Sequence, residues 1–150
     1  MTPSPVTRHQ RISRRLEFIL EKFITKNNLG ELFDAPYDVY FDNENVVQPD
    51  LLFISKDSLH IIGEKNVHGA PDLVIEIISE NSAYRDMVQK KKLYAKFGVK
   101  EYWVVIPEGE EIEIYTLKDK TFQLYKTYGK DNTLESSLLE GLKIGLIDIF

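Results

Sequence analysis

The 150 residues, 43% of them hydrophobic, suffice for about one domain with a core of its own, and the expected organisation is a single domain over 1–150. A formal net charge of −5 argues against a nonspecific positive coat for nucleic acid, and the lack of cysteine rules out disulfides, thiolate catalysis and sulfur-based zinc sites. No run of roughly 18 apolar residues occurs, and no hydrophobic region follows the charges of MTPSPVTRHQRISRR, so neither a membrane span nor a secretory signal is expected and a cytoplasmic protein is.

From Thr7 to Leu29 the apolar residues Ile12, Leu16, Ile19, Leu20, Phe23 and Ile24 recur at helical spacing, and Asn27, Asn28 and Gly30 supply stop signals. YDVYFD at 37–42 alternates like a strand. After the turn-like DNEN, PDLLFIS at 49–55 predicts a more buried strand, which LHIIG at 59–63 extends or flanks. The run at 72–79, opened by Pro71 and rich in β-branched residues, predicts a third strand buried on both faces. A second helix is expected from about 82 to 97, with Ser82 as N-cap and Gly98 just past its end. EYWVVIP at 101–107 reads as a fourth strand, and 112–117 with 121–128 flank KDK as a hairpin. The tail, LLEGLKIGLIDIF, is apolar enough to dock. The order predicts an α/β protein with a central mixed β-sheet flanked by α-helices and an additional C-terminal β-hairpin.

Within the apolar run, Glu76 stands between Ile75 and Ile77. A carboxylate there is costly unless a cation, hydrogen-bond donors or a metal compensates it. Strand alternation puts Asp72, Val74, Glu76 and Ile78 on one face, but Asp72 and Glu76 sit about 13 Å apart, too far to share one ion. The second acid must come from a neighbouring strand, and Asp50, opening DLLFI, is the candidate. On the second helix, steps of about 100° place Ala83, Asp86, Met87, Leu93, Tyr94 and Phe97 within roughly 60° of Lys90, and turn Lys91, Lys92 and Lys96 at least about 100° away. Lys90 is therefore expected to point at the sheet and meet Glu76. Two carboxylates with water and a substrate oxygen form a typical Mg²⁺ site, and a lysine beside it can hold the attacking water. On the first helix His9 falls near the Leu16 direction and Glu17 on the stripe's edge, so either can reach the same site. Serine-nucleophile chemistry lacks a partnered histidine, and no GxxxxGK[ST] or GxGxxG phosphate loop occurs.

TRHQRIS, VVQPDLLFIS, GAPDLVIEIISENS, DMVQKKKLYAKFGVKEYWVVIP and the closing GLKIGLIDIF together resemble the Uma2 family of restriction endonucleases, within the PD-(D/E)xK nuclease superfamily. The resemblance implies a restriction-endonuclease-like core and Mg²⁺-dependent hydrolysis of DNA, with Mn²⁺ as an alternative ion. Asp50 matches the family's first acid and Glu76 the second, both as metal ligands. Ile78 occupies the position where the superfamily motif has lysine; in Uma2-like chains the lysine has moved to the following helix, where Lys90 matches it. Asp72 matches the second PD and is implied to support the strand entrance. Val105-Ile106-Pro107 replaces the VDP common in the family, removing a polar group beside the fourth strand. Arg8, Arg11, Lys91 and Lys92 are candidates to hold the DNA backbone, and cleavage of both strands would favour a homodimer. The alternative is a catalytically inactive nuclease-fold module that binds nucleic acid or protein.

Overall fold

The apolar stripe Ile12, Leu16, Leu20 and Ile24 is buried along the whole of α1 (Thr7–Lys26) in the computed structural model, which describes residues 6–79 and 84–150. Past the helix the chain passes through Asn28, whose φ of 51° suits asparagine, into a strand. The strands are β1 (Gly30–Asp34), β2 (Val39–Tyr40), β3 (Val46–Val47), β4 (Leu51–Ser55), β5 (Val67–His68), β6 (Leu73–Ile77), β7 (Glu101–Ile106), β8 (Glu111–Lys118), β9 (Thr121–Gly129), β10 (Thr133–Glu135) and β11 (Lys143–Gly145). The second helix is α2 (Tyr84–Phe97).

Six strands form the main sheet in the order β1-β4-β6-β7-β8-β9. Only β6 and β7 run parallel in it, and parallel neighbours need a crossover, which α2 supplies. Side chains alternate across this sheet. Leu51, Phe53, Leu73, Ile75, Ile77, Trp103 and Val105 join the cluster under α1, which the tail completes with Leu139, Leu142, Ile144, Leu146 and Ile149. Val74, Tyr102 and Val104 face the other way, with Tyr94 of α2 and Val99. Glu76 shares their parity, so its side chain is delivered to the α2 layer. The mixed sheet between helices is thus the arrangement the sequence predicts.

Differences from the sequence-based expectations have local causes. GELFD is short, with only Leu32 and Phe33 apolar and no alternation, so β1 escaped notice; it gains its place as an edge strand by pairing antiparallel with β4 from Gly30↔Ser55 to Asp34↔Leu51. The strand expected over 37–42 shrinks to β2, which belongs to a separate small sheet with β3 and β5. LHIIG does not extend β4: residues Lys56–Ile61 form a 3₁₀ helix leading away from it. The hairpin expected around 118–120 forms, with Lys118↔Thr121 as its closing pair, and prolongs the main sheet. A second hairpin-like pair, β10 with β11, lies in the tail.

At the C-terminal end of α2, Gly98 N–H donates to the Ala95 carbonyl and Val99 N–H to that of Tyr94, a Schellman closure. Gly98 has φ +91°, and an added Cβ would meet nothing, so it is backbone conformation that calls for glycine here. The closure ties the buried Val99 to Tyr94 and so fixes the helix end over the sheet. The N-cap expected at Ser82, and Ala83 after it, lie outside the described residues.

Candidate active site

β4 and β6 run antiparallel with Leu51 opposite Ile75, and one further step in that register brings Asp50 toward Glu76. Both acids line one small cavity of about 100 Å³, with Gln48, Asp86, Met87, Lys90 and Tyr102 among the other walls. Asp50 sits just before β4, where Ile77 of β6 has run past its last ladder partner; Asp50 Oδ2 accepts the Ile77 N–H at 2.7 Å. That bond both satisfies a backbone donor and fixes the carboxylate's orientation.

Glu76 is held from three sides. Tyr94 of α2 donates its hydroxyl to Oε1, Tyr102 of β7 donates to Oε2 at 3.1 Å, and Lys90 Nζ lies 3.5 Å from Oε1. Burial first, and the Glu76 charge second, push both tyrosine hydroxyls far above their ordinary pKa, so both remain donors. Lys90 also lies 3.9 Å from Asp86, one helical turn back, and keeps 38% of its side chain exposed. It therefore sits on the shoulder of the buried stripe. The fully buried positions of α2 are Tyr94 and Ala95, so the stripe runs to one side of the direction the helical projection assigns.

His9, in the first turns of α1, brings Nε2 to 3.4 Å from Asp50 Oδ1. The contact with Asp50 is the main reason that the His9 pKa is raised above 6.5, against the opposing effect of burial. Glu17 is two turns farther along the same helix and lines an adjoining cavity of about 430 Å³ with His9, Arg14, Asp34 and Asp50. Burial and the neighbouring Asp34 raise the Glu17 pKa, so Glu17 holds its proton more tightly than a free glutamate. Among the described residues no group of three or more His, Asp or Glu side chains converges tightly enough to hold an ion by itself.

Asp72 lies at the opposite end of β6 from Glu76, as strand rise requires. It is 4% exposed, accepts the Ser55 N–H at 2.7 Å through Oδ2, and meets Lys100 Nζ at 3.1 Å through Oδ1. Those contacts join β6 to the ends of its two neighbours. Arg8 lines a third cavity, with His9, Ile78, Ser79, Ile106 and Pro107; the apolar pair Ile106-Pro107 thus stands beside the histidine. Arg11 and Lys92 are exposed. Lys91 departs from expectation: it is half-buried, its Nζ 3.6 Å from the centre of the Tyr115 ring, and burial lowers its pKa. The sequence reading missed Tyr102 and used Tyr94 only as an apolar stripe residue. An apolar run and a helical stripe show where a ring is buried but not where its hydroxyl points.

Residues 1–147 match the family described as "Uma2: Putative restriction endonuclease". The chain belongs to the Uma2 family. Among solved structures, the Uma2 chain is similar to a "putative nuclease belonging to DUF820" from Anabaena variabilis, with a TM-score of 0.80 and 15% sequence identity over 100% of this chain and 84% of that one. The likeness shows a shared fold. No match was found among curated proteins. None of the described helices is long and apolar enough to cross a membrane.

Proposed function

We propose that this Uma2 protein is a Mg²⁺-dependent endonuclease that hydrolyses phosphodiester bonds in DNA, with Mn²⁺ able to replace Mg²⁺. The observation that carries the reading is the meeting of Glu76 and Lys90 at 3.5 Å in a cavity that Asp50 also lines. Two carboxylates on one small polar cavity suit Mg²⁺, which takes one or two carboxylates and completes its shell with water and substrate phosphate. Asp50 and Glu76 would hold the ion; when bound, it polarises the phosphate and supports the leaving oxygen.

The chain's own groups do the rest. The Ile77 N–H and the two tyrosine hydroxyls keep Asp50 and Glu76 oriented before substrate arrives, so no reorganisation is needed during reaction. Lys90 holds the nucleophilic water and offsets the negative charge that grows on the phosphate. His9 keeps a positive or hydrogen-bonding group on the far side of Asp50. Arg8, Arg11 and Lys92 hold the strand's phosphates, and with a net charge of −5 that hold is weak and salt-sensitive.

The test is calorimetric titration of Mg²⁺ and Mn²⁺ together with cleavage of plasmid and single-stranded DNA by wild type, Glu76→Ala and Lys90→Ala. The expected result is metal binding by wild type and loss of cutting in both variants, by about 100-fold or more. Absence of metal binding at millimolar concentration would overturn the reading. A second reading, a nuclease-fold module that binds without cutting, draws on the partners the two acids already have within the chain, Tyr94, Tyr102 and Lys90 on Glu76 and the Ile77 N–H and His9 on Asp50. It predicts DNA or protein binding indifferent to Lys90→Ala.

A further inference from the structure

The cavity at Asp50 and Glu76 is about 100 Å³, room for a phosphate and its counter-charge but not for a nucleoside. Next to it is a cleft of about 290 Å³ between α2 and strands β7 and β8, sharing Met87 and Tyr102 with the first. Its walls are aromatic and apolar, with Tyr84, Tyr102 and Tyr115 around Val88 and Val104, and it carries one amine, Lys91, and one carboxylate, Glu113. Tyr84 is a large ring left 81% exposed at this cleft. Lys91, by contrast, is a charge drawn in, stacked on Tyr115, while Tyr115 donates its hydroxyl to Glu113 Oε1 at 3.1 Å. Flat rings with a donor and an acceptor between them suit one class of ligand, a heteroaromatic base with polar edges. The shared wall fixes where that base would belong: Tyr102 borders the cleft and also touches Glu76 with its hydroxyl.

We propose that this cleft is a subsite for an unpaired nucleobase adjoining the scissile phosphate, so that the substrate is a single strand, or a duplex with a base turned out of the stack. The proposal rests on the nuclease reading for the position of the phosphate. A base still paired inside a duplex cannot enter a cleft beside the cut without leaving its partner.

Binding in EDTA, where no strand is cut, tests the subsite apart from the chemistry. Fluorescence anisotropy compares a short labelled single strand, the corresponding abasic strand, a paired duplex and a duplex with one bulged base. Wild type is expected to bind the single strand about tenfold more tightly than the abasic strand, and the bulged duplex more tightly than the paired one. Val88→Trp, which fills the cleft, should abolish the preference for bases while leaving abasic binding and Mg²⁺ affinity as in wild type. Tyr84→Ala, a change at an exposed position, should reduce the same preference and protects the test if Val88→Trp does not fold. Equal binding of base-bearing and abasic strands by wild type, or no binding of either, overturns the subsite. So does a preference that survives both variants. Metal binding and cutting without a base preference would sink the subsite alone; a base preference in a protein that binds no metal would sink the nuclease reading and leave the subsite standing.

Discussion

Tyr94 lies 18 residues beyond Glu76 in the chain, yet its hydroxyl meets the glutamate's Oε1 directly, across the gap between α2 and the sheet. The helix that carries Lys90 to the site is thereby tethered to the carboxylate that Lys90 serves. Tyr94→Phe removes the hydroxyl and almost nothing else. It is expected to lower unfolding free energy by about 2 kcal/mol, measured by urea titration, and to weaken Mg²⁺ binding in calorimetry. Unchanged metal affinity would mean that Tyr94 serves the fold alone.

Asp50 and Asp72 each follow a proline, and their surroundings predict opposite phenotypes. Asp72→Ala strands the Ser55 N–H and the Lys100 contact, costing about 2 kcal/mol of stability, while the folded fraction keeps its Mg²⁺ affinity. Asp50→Asn keeps an acceptor for the Ile77 N–H and should change the melting temperature little, yet eliminate measurable Mg²⁺ binding. Parallel melting and calorimetric titrations of the two variants check this; loss of metal binding in the folded Asp72 variant would contradict it.

Glu17 supplies a pH dependence with a definite sign. Its folded pKa is raised above 4.5, chiefly by burial and then by Asp34. A folded state that holds this proton more tightly than the unfolded chain gains stability that is complete below 4.5 and is lost as pH climbs through the raised value. Glu17→Gln retains a neutral hydrogen-bonding side chain and loses the ionisation. The variant should melt higher than wild type at pH 8 and show no advantage at pH 4, by thermal unfolding followed with circular dichroism. A higher melting temperature for wild type at pH 8 would refute the assignment.

Glu101 is 1% exposed and lacks an ion-pair partner among the described contacts, but it collects the Trp103 indole N–H, the Ser136 and Ser137 hydroxyls and the Leu138 N–H. It is the clasp that holds the tail on β7. Glu101→Ala leaves buried donors without an acceptor and is expected to cost about 3 kcal/mol or more, seen as a lower urea midpoint. A midpoint near that of wild type would show that water replaces the carboxylate.

Much of the site could be read from the chain because two simple periodicities converge on it. Strand alternation singles out the face of Glu76, and helical projection brings Lys90 toward it; Lys90 comes 14 positions after Glu76 in the chain, yet the contact follows from local geometry. The same arithmetic misjudged Lys91, because the helix packs with its stripe rotated toward Tyr94 and Ala95, a tertiary choice set by the rings of Phe41, Tyr102 and Tyr115. Tyr102 was out of reach for another reason: in EYWVVI it reads as one more β-forming residue, and only the parallel pairing of Val74 with Tyr102 puts it beside the glutamate. β1 was missed since GELFD has too few apolar residues to announce a strand; its stability comes from β4.

Arg15 of α1 donates from Nη1 to the carbonyl of Ile149 at 3.2 Å, while Ile149 itself is buried against the same layer as Leu16 and Leu20. His9 rides on that helix six residues earlier, roughly 9 Å along its axis. The chain's last turn is therefore a brake on the sliding and rolling of the rod that holds the histidine against Asp50. Whatever draws Ile149 off that rod would be felt at the contact of His9 with Asp50, a distance away from any residue that touches Ile149.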